Sequence, residues 1–544
     1  MKRLFQTMIG ILLLTAGMMT GVIPGSGVLQ AEAAGNPTTI NTCMIDAKGA
    51  NVNVTASTAA LPASDDGNFY LFAEKIYENA LTGAPVASAA KGTSAVFTFP
   101  LNKDTASSML YNKFVVAVRQ GGTYVPVSAA HFITNPEAIA TRTGTRRNSS
   151  KKGLILDAAK INNDEALKLG VKQAAYNVFL EDFINTRGSD VVNYTYNGKT
   201  YAFNQSALNS YDHAFGTFTK QGMSVTVVVL NRYNAGYEYM QHPLSRDGGA
   251  SGASYYMLNT ADVQGTEELE AVMSFLANRY GASVAGSGQI DNWVIGNEVN
   301  ARLPWNYTSN MDVSQYSQIY ADSLRICYNA IRSQNANATV SMCIDQEWKR
   351  NSKGVQNYYD GRDMVDQVNS YLTSQGNIDW SLAAHPYPVP LTWAKFWSTT
   401  PFYASLVKHS LDTPFITMEN IEQLTDYMCQ PAMRNIEGQV RPVFLTEVGY
   451  TAAQGEDIQA ADLVYAYQRA MNNQYIKTIL FSRQTDSAEE IAQGLSMGLT
   501  NPNGSHKLGF EFYQNMDGAN AAAYIERARA TIGFPDWNAQ MYPR

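Results

Sequence analysis

Hydrophobic positions along the chain fall into two textures with a polar break between them. From about Thr39 to Ile133, apolar or alternating runs at 69–72, 95–99 and 113–118 are separated by Gly, Asp, Ser and Asn. Period-two alternation bounded by turn residues predicts half-buried strands. Residues 39–135 therefore read as a small all-β, sandwich-like domain. Residues 136–152 follow, polar and carrying Arg142, Arg146, Arg147, Lys151 and Lys152, and this composition predicts a solvated linker.

After Gly153 the texture changes to eight short apolar runs, at 154–156, 171–178, 225–230, 293–295, 340–344, 380–384, 443–445 and 476–481. Helix-period segments lie between them. Leu269, Val272, Met273 and Leu276 form one stripe at i, i+3, i+4 and i+7, with Glu267 and Glu268 where the helix dipole favours anions and Gly281 as a stop. Tyr320, Leu324, Cys327 and Ile331 form a second; Leu463, Val464, Tyr467 and Met471 form a third. Strands joined by helical crossovers predict a parallel sheet, and eight of them predict an α/β fold, the (β/α)8 barrel, over residues 153–544. A doubly wound sheet would show similar periods.

A barrel carries its chemistry at the C-terminal ends of its strands. The fourth run ends in Gly296-Asn297-Glu298 and the seventh in Thr446-Glu447. Two carboxylates at the mouth of one barrel suit glycosidic cleavage, which needs a proton for the leaving oxygen and negative charge opposite an oxocarbenium-like centre. Like charges at close range separate the two pKa values, so that one group is an acid while the other is ionised.

These positions resemble those of the clan A retaining glycoside hydrolases, whose acid/base is a Glu preceded by Asn after strand four and whose nucleophile is a Glu at the end of strand seven. The resemblance covers Gly153 to the C-terminus. It implies Glu298 as acid/base, Glu447 as nucleophile and Asn297 as partner of the substrate 2-hydroxyl. His385-Pro386-Tyr387, after the sixth run, is similar to a His-x-Tyr of several of these families, which implies that Tyr387 orients Glu447. Two positions depart from the pattern: where many members carry an Arg after strand two and a Trp after strand eight, this chain has Asn177-Val178 and Phe481-Ser482-Arg483. Asn177 and Arg483 are thus candidate substrate contacts.

Aromatic residues cluster in the loops after these strands: Trp305 and Tyr307, Trp348, Trp393 and Trp397. Sugar rings present C–H faces that stack on aromatic planes, so two or three of these are expected to touch substrate. The long loop 231–260, rich in Gly and Tyr, is expected to form one wall of the cleft.

Composition narrows the alternatives. A start with Lys2 and Arg3, an apolar stretch and Ala31-Glu32-Ala33 predicts an export signal over residues 1–33, hence a secreted protein with no membrane span. With 47 Asp+Glu against 40 Lys+Arg there is no broad basic surface for nucleic acid. Four cysteines lack zinc-site spacing, and Cys327 and Cys343 read as buried thiols. No H-E-x-x-H occurs and no nucleophile elbow is read, so zinc peptidase and α/β-hydrolase chemistry are unsupported, and no metal or cofactor is expected. The expectation is a secreted retaining glycoside hydrolase acting on a poly- or oligosaccharide. The alternative is a carbohydrate-binding protein on a barrel that has lost catalysis.

Overall fold

The computed structural model describes residues 36–282, 284–350 and 357–544. The expected export signal lies outside them.

Strands β1 (Thr38–Ile45), β2 (Asn51–Thr58), β3 (Asn68–Glu74), β4 (Ala87–Ala90), β5 (Ser94–Pro100), β6 (Lys113–Gln120), β7 (Thr123–Pro126) and β8 (His131–Phe132) come first. Antiparallel β1-β2-β5 make one sheet; β4-β3-β6-β7, with β8 on β6, make the other. β5 is strictly alternating, so Ala95, Phe97 and Phe99 are buried while their neighbours face water. Phe99 meets Phe114 of the other sheet with ring centroids 5.1 Å apart. Each such ring contributes about 1.5–3 kcal/mol through burial, and together they close a sandwich.

The barrel opens with β9 (Lys152–Ile155) and β10 (Gln173–Phe179). A hairpin, β11 (Val191–Tyr196) and β12 (Lys199–Asn204), interrupts it before β13 (Ser224–Leu230), β14 (Asn292–Ile295), β15 (Thr339–Ile344), β16 (Ser381–Ala384), β17 (Val443–Val448) and β18 (Ile476–Phe481). β10, β13 to β18 and β9 close on one another, every pairing parallel. Gly153 permits that closure: a Cβ there would lie 2.4 Å from Leu480 of β18. The fold is therefore a (β/α)8 barrel preceded by a small all-β domain.

Amphipathic helices sheathe the barrel. Helix Val263–Arg279 is capped by Asp262, whose carboxylate accepts from Gly265 N, and it buries Leu269, Val272, Met273 and Leu276. Helix Val313–Arg332 buries Tyr320, Leu324, Cys327 and Ile331. Helix Glu456–Met471 buries Leu463, Val464 and Tyr467 but leaves its last residue, Met471, exposed.

Residues 136–152 correct the expectation of a solvated linker. Arg146 N donates to Asp291 Oδ1 at 2.5 Å, Arg147 to Asn292 Oδ1 at 3.1 Å and Asn337 O at 2.7 Å, and Lys151 Nζ to Ala470 O at 2.7 Å. Asn148 adds a bond to Lys172 O at 2.7 Å. These partners lie at or just before the starts of barrel strands or in the last turn of the helix that precedes one. The basic side chains thus staple the N-terminal end of the barrel, and Lys152 already belongs to β9.

The hairpin β11–β12 has a second role: the hydroxyls of Tyr196 and Tyr111 lie 2.7 Å apart, and Phe203 stacks on Phe275 at 4.5 Å. It ties the sandwich to the helical shell. Arg325 adds to this seam with its guanidinium 4.6 Å from the Phe132 ring centroid.

Candidate active site

The C-terminal ends of β14 and β17 deliver the two carboxylates. After Ile295 the chain turns sharply, with Gly296 at φ 79° and Glu298 at φ 40°. Left-handed backbone is costly for a residue with a Cβ and persists where its surroundings fix it. Here Val299 N donates to Cys343 O of β15 at 2.9 Å and Ala301 N to Glu298 O at 2.7 Å. Asn297 sits in the same turn, half-buried. Glu447 lies near the end of β17, its side chain 30% exposed against 15% for Glu298.

His385, fully buried after β16, stands between them. Its Nδ1 is 2.9 Å from Glu298 Oε1 and 3.8 Å from Glu447 Oε2, so those oxygens are at most the sum of the two legs apart, about 6.7 Å. Its Nε2 lies 3.0 Å from Thr446 Oγ1 and 3.3 Å from Cys343 Sγ. Burial alone would lower its pKa; the Cys343 sulfur and the Glu447 and Glu298 carboxylates outweigh burial and hold it well above the ordinary histidine value.

Tyr387 donates to Glu447 Oε2 at 3.0 Å. Burial and the Glu447 charge push its phenol well above the usual range, so it stays a donor. Burial, and then the charge of Glu447, likewise raise Tyr255 to about 12.

A cleft of about 390 Å³ at Glu447 is lined also by Asn177, Thr446, Arg483 and Gln484. Asn177 is exposed there. Arg483 is half-exposed and pairs with Glu490 at 2.7 Å. Tyr255 of the long loop lies 5.7 Å from Trp305 and 6.5 Å from Phe179, ring to ring. These ring contacts bring loop 231–260, Trp305 and the end of β10 together. Trp393 is half-buried and donates to Ser398 O at 3.0 Å within its own loop. Trp348 departs from expectation: it is fully buried, donates to Leu411 O at 3.0 Å and packs edge-on against Tyr427. It packs the shell and offers no face to a sugar.

One group was missed in the sequence. Asp345 directly follows β15, is buried, and receives Asn300 Nδ2 at 2.7 Å and Glu347 N at 2.8 Å, both on Oδ1. Burial, then the charge of Glu298, raises it to about 8. The signal was present: Asp345 is a polar residue that abruptly ends an apolar run, just as Glu298 and Glu447 are.

Among the described residues no group of three or more His, Cys, Asp or Glu is arranged to hold a metal ion, and no helix is long and apolar enough to cross a membrane.

The family model described as "Family of unknown function (DUF5722)" matches residues 144–540, the whole barrel without the sandwich. The chain belongs to the DUF5722 family. No curated protein matches it. Similar solved structures include a family 39 glycoside hydrolase from the gut symbiont Bacteroides cellulosilyticus WH2, at 13% identity over 85% of this chain and 79% of that one, TM-score 0.42. Others are a hyperthermophilic β-glucosidase from Pyrococcus furiosus (14%, 69% and 88%, TM-score 0.44) and a family 1 β-glucosidase from Thermotoga maritima (12%, 71% and 97%, TM-score 0.41). The barrel itself rests on the closed parallel pairing of its strands.

Proposed function

We propose that this DUF5722 member is an exported glycoside hydrolase that cleaves a poly- or oligosaccharide with retention of configuration. Glu298 is its acid/base and Glu447 its nucleophile. The observation that carries this reading is the convergence of Glu298 and Glu447, from the fourth and seventh barrel strands, on the single imidazole of His385. The bound of about 6.7 Å on the separation of these two oxygens is compatible with carboxyls about 5–5.5 Å apart, as direct attack requires.

In the first step Glu447, held by Tyr387, attacks the anomeric carbon while Glu298 gives its proton to the leaving oxygen. The glycosidic C–O bond breaks and an ester to Glu447 forms. In the second, Glu298 takes a proton from water, whose oxygen displaces Glu447 from that carbon. His385 meets Glu298 through Nδ1, where a protonated imidazole stabilises the carboxylate that Glu298 becomes once it has given its proton to the leaving oxygen. Asn297 is assigned to the 2-hydroxyl, Trp305 to a sugar face, and Asn177, Arg483 and Trp393 to the surrounding substrate contacts.

The test is hydrolysis of a polysaccharide panel with analysis of the reducing ends released. Glu447→Gln and Glu298→Gln, both folded, are each expected to lose at least about a thousandfold in kcat. Saccharide binding by wild type without any product would favour the binding-only alternative.

A further inference from the structure

We infer that a second cavity on the same face of the barrel is a distal subsite, which holds a neutral sugar unit of the substrate chain remote from the bond that is cleaved. This deepens the proposed function and rests on a glycan being the substrate of the Glu298 and Glu447 site.

The cavity, of about 580 Å³, opens between the segments that follow β10 and β13. Asp182 and Asn185 come from helix Leu180–Ile184 and the residue after it, Tyr211 from helix Gln205–Lys220, and Arg232, Tyr233 and Asn234 from the start of loop 231–260. It shares a wall with the cleft at Glu447: Tyr176 lines that cleft, Tyr211 lines the cavity, and their rings meet edge-on with centroids 5.9 Å apart. A glycan leaving the cleft across this ring pair enters the cavity.

The polar lining is held in place by its own contacts. Arg232 pairs through Nε with Glu181 and through Nη2 with Asp182 Oδ1 at 2.9 Å, and its guanidinium lies 3.8 Å from the Phe179 ring centroid. Asp182 Oδ2 accepts from the Tyr211 hydroxyl at 3.1 Å, which itself accepts from Phe179 N at 3.2 Å. The Arg232 and Asp182 side chains are nevertheless 42% and 36% exposed. A guanidinium and a carboxylate fixed side by side set donors beside acceptors, the pattern that neighbouring hydroxyls of a sugar satisfy. Because both are already fixed, little side-chain entropy is lost when a sugar binds.

Tyr233 supplies the apolar part. Its ring is 37% exposed, lies 6.4 Å from that of Tyr256 and is backed by Gly249, where a Cβ would stand 3.2 Å from it. The exposed part of a ring so buttressed suits the C–H face of a sugar. Charge then selects among sugars. Behind the lining, Arg187 donates to Asn185 Oδ1 at 3.2 Å and to Asn234 Oδ1 at 3.3 Å. Two acids, Glu181 and Asp182, thus face two guanidiniums, those of Arg232 and Arg187. A site balanced before any ligand arrives favours a neutral unit over a uronate or an amino sugar.

The test is binding of the full chain carrying Glu447→Gln to an array of neutral, amino and uronic oligosaccharides, each as a ladder from disaccharide to octasaccharide. On a neutral ladder, affinity is expected to rise about tenfold or more at the first rung long enough to span cleft and cavity. Adding Tyr233→Ala, a change at an exposed ring, should remove about threefold or more of that gain, and Arg232→Gln about tenfold. Melting curves accompany both, since Arg232→Gln leaves the nearly buried Glu181 without its cation. Binding with no rise along the ladder, a rise that Tyr233→Ala keeps in full, a rise confined to charged ladders, or an array with no glycan bound overturns the inference, even where wild type hydrolyses a glycan. A rise lost in the variants while wild type releases no product leaves the cavity standing and removes the hydrolase reading.

Discussion

The Tyr387 hydroxyl donates a 3.0 Å hydrogen bond to Oε2 of Glu447, the same oxygen that lies 3.8 Å from His385 Nδ1. That oxygen is thereby fixed, and the other oxygen of Glu447 is left for bond formation. A hydrogen bond to a charged group contributes about 1.5–3 kcal/mol. Tyr387→Phe should thus lower kcat/KM about 10- to 150-fold at unchanged thermal stability, read by steady-state kinetics beside a melting curve.

His385 gives a pH dependence to stability. Its pKa is raised in the folded chain, so the imidazolium contributes stability that is fully present below the unfolded value of about 6.5 and lost as pH rises through the folded value. The melting-temperature advantage of wild type over His385→Gln should accordingly be larger near pH 6.5 than near pH 9. A gap that widens toward alkaline pH would contradict the assignment of charge.

The two tryptophans after β14 and β15 should separate cleanly. Trp348 is fully buried, so Trp348→Ala should cost about 3–5 kcal/mol in urea unfolding through the cavity it leaves. Trp305 is half-buried beside Tyr255 and is proposed to meet a sugar face, so Trp305→Ala should unfold within about 1 kcal/mol of wild type and chiefly raise KM.

A buried ion pair far from the cleft supplies a control. Arg469 Nη2 meets Glu422 Oε2 at 2.6 Å with both side chains buried, and His409 Nδ1 lies 2.5 Å from Glu422 Oε1. Removing one partner strands the other charge, so Glu422→Ala should destabilise by about 3–5 kcal/mol and leave kcat unchanged below the melting range. Denaturant unfolding and kinetics on one sample check both halves.

What was legible in the sequence follows from periodicity. Each of the eight apolar runs became a barrel strand because a strand buried on both faces is predominantly apolar, as is β13, which is buried along its whole length. Four features were not read, for different reasons. Arg146 and Arg147 looked solvated because charge says nothing about which carbonyls a guanidinium will reach. The hairpin β11–β12 carries its signal in Asn197-Gly198, both at positive φ, but its alternation sits between two barrel strands where a helix was expected. Trp348 and Trp305 are alike in sequence, and only packing decides which one is fully buried. Asp345 obeyed the strand-end rule already in use, and its bond to Asn300 spans 45 positions, a pairing invisible before the barrel closes.

The central claim is that Glu447 attacks carbon. Once a panel has identified the sugar, incubation with its activated 2-deoxy-2-fluoro glycoside and peptide mass mapping tests this directly. The fluorine slows the oxocarbenium-like steps, and the good leaving group lets the covalent step outrun hydrolysis. The account predicts one added glycosyl mass, on the peptide that contains Glu447, absent in Glu447→Gln. An adduct on a different residue, or hydrolysis with inversion and no adduct, would contradict it.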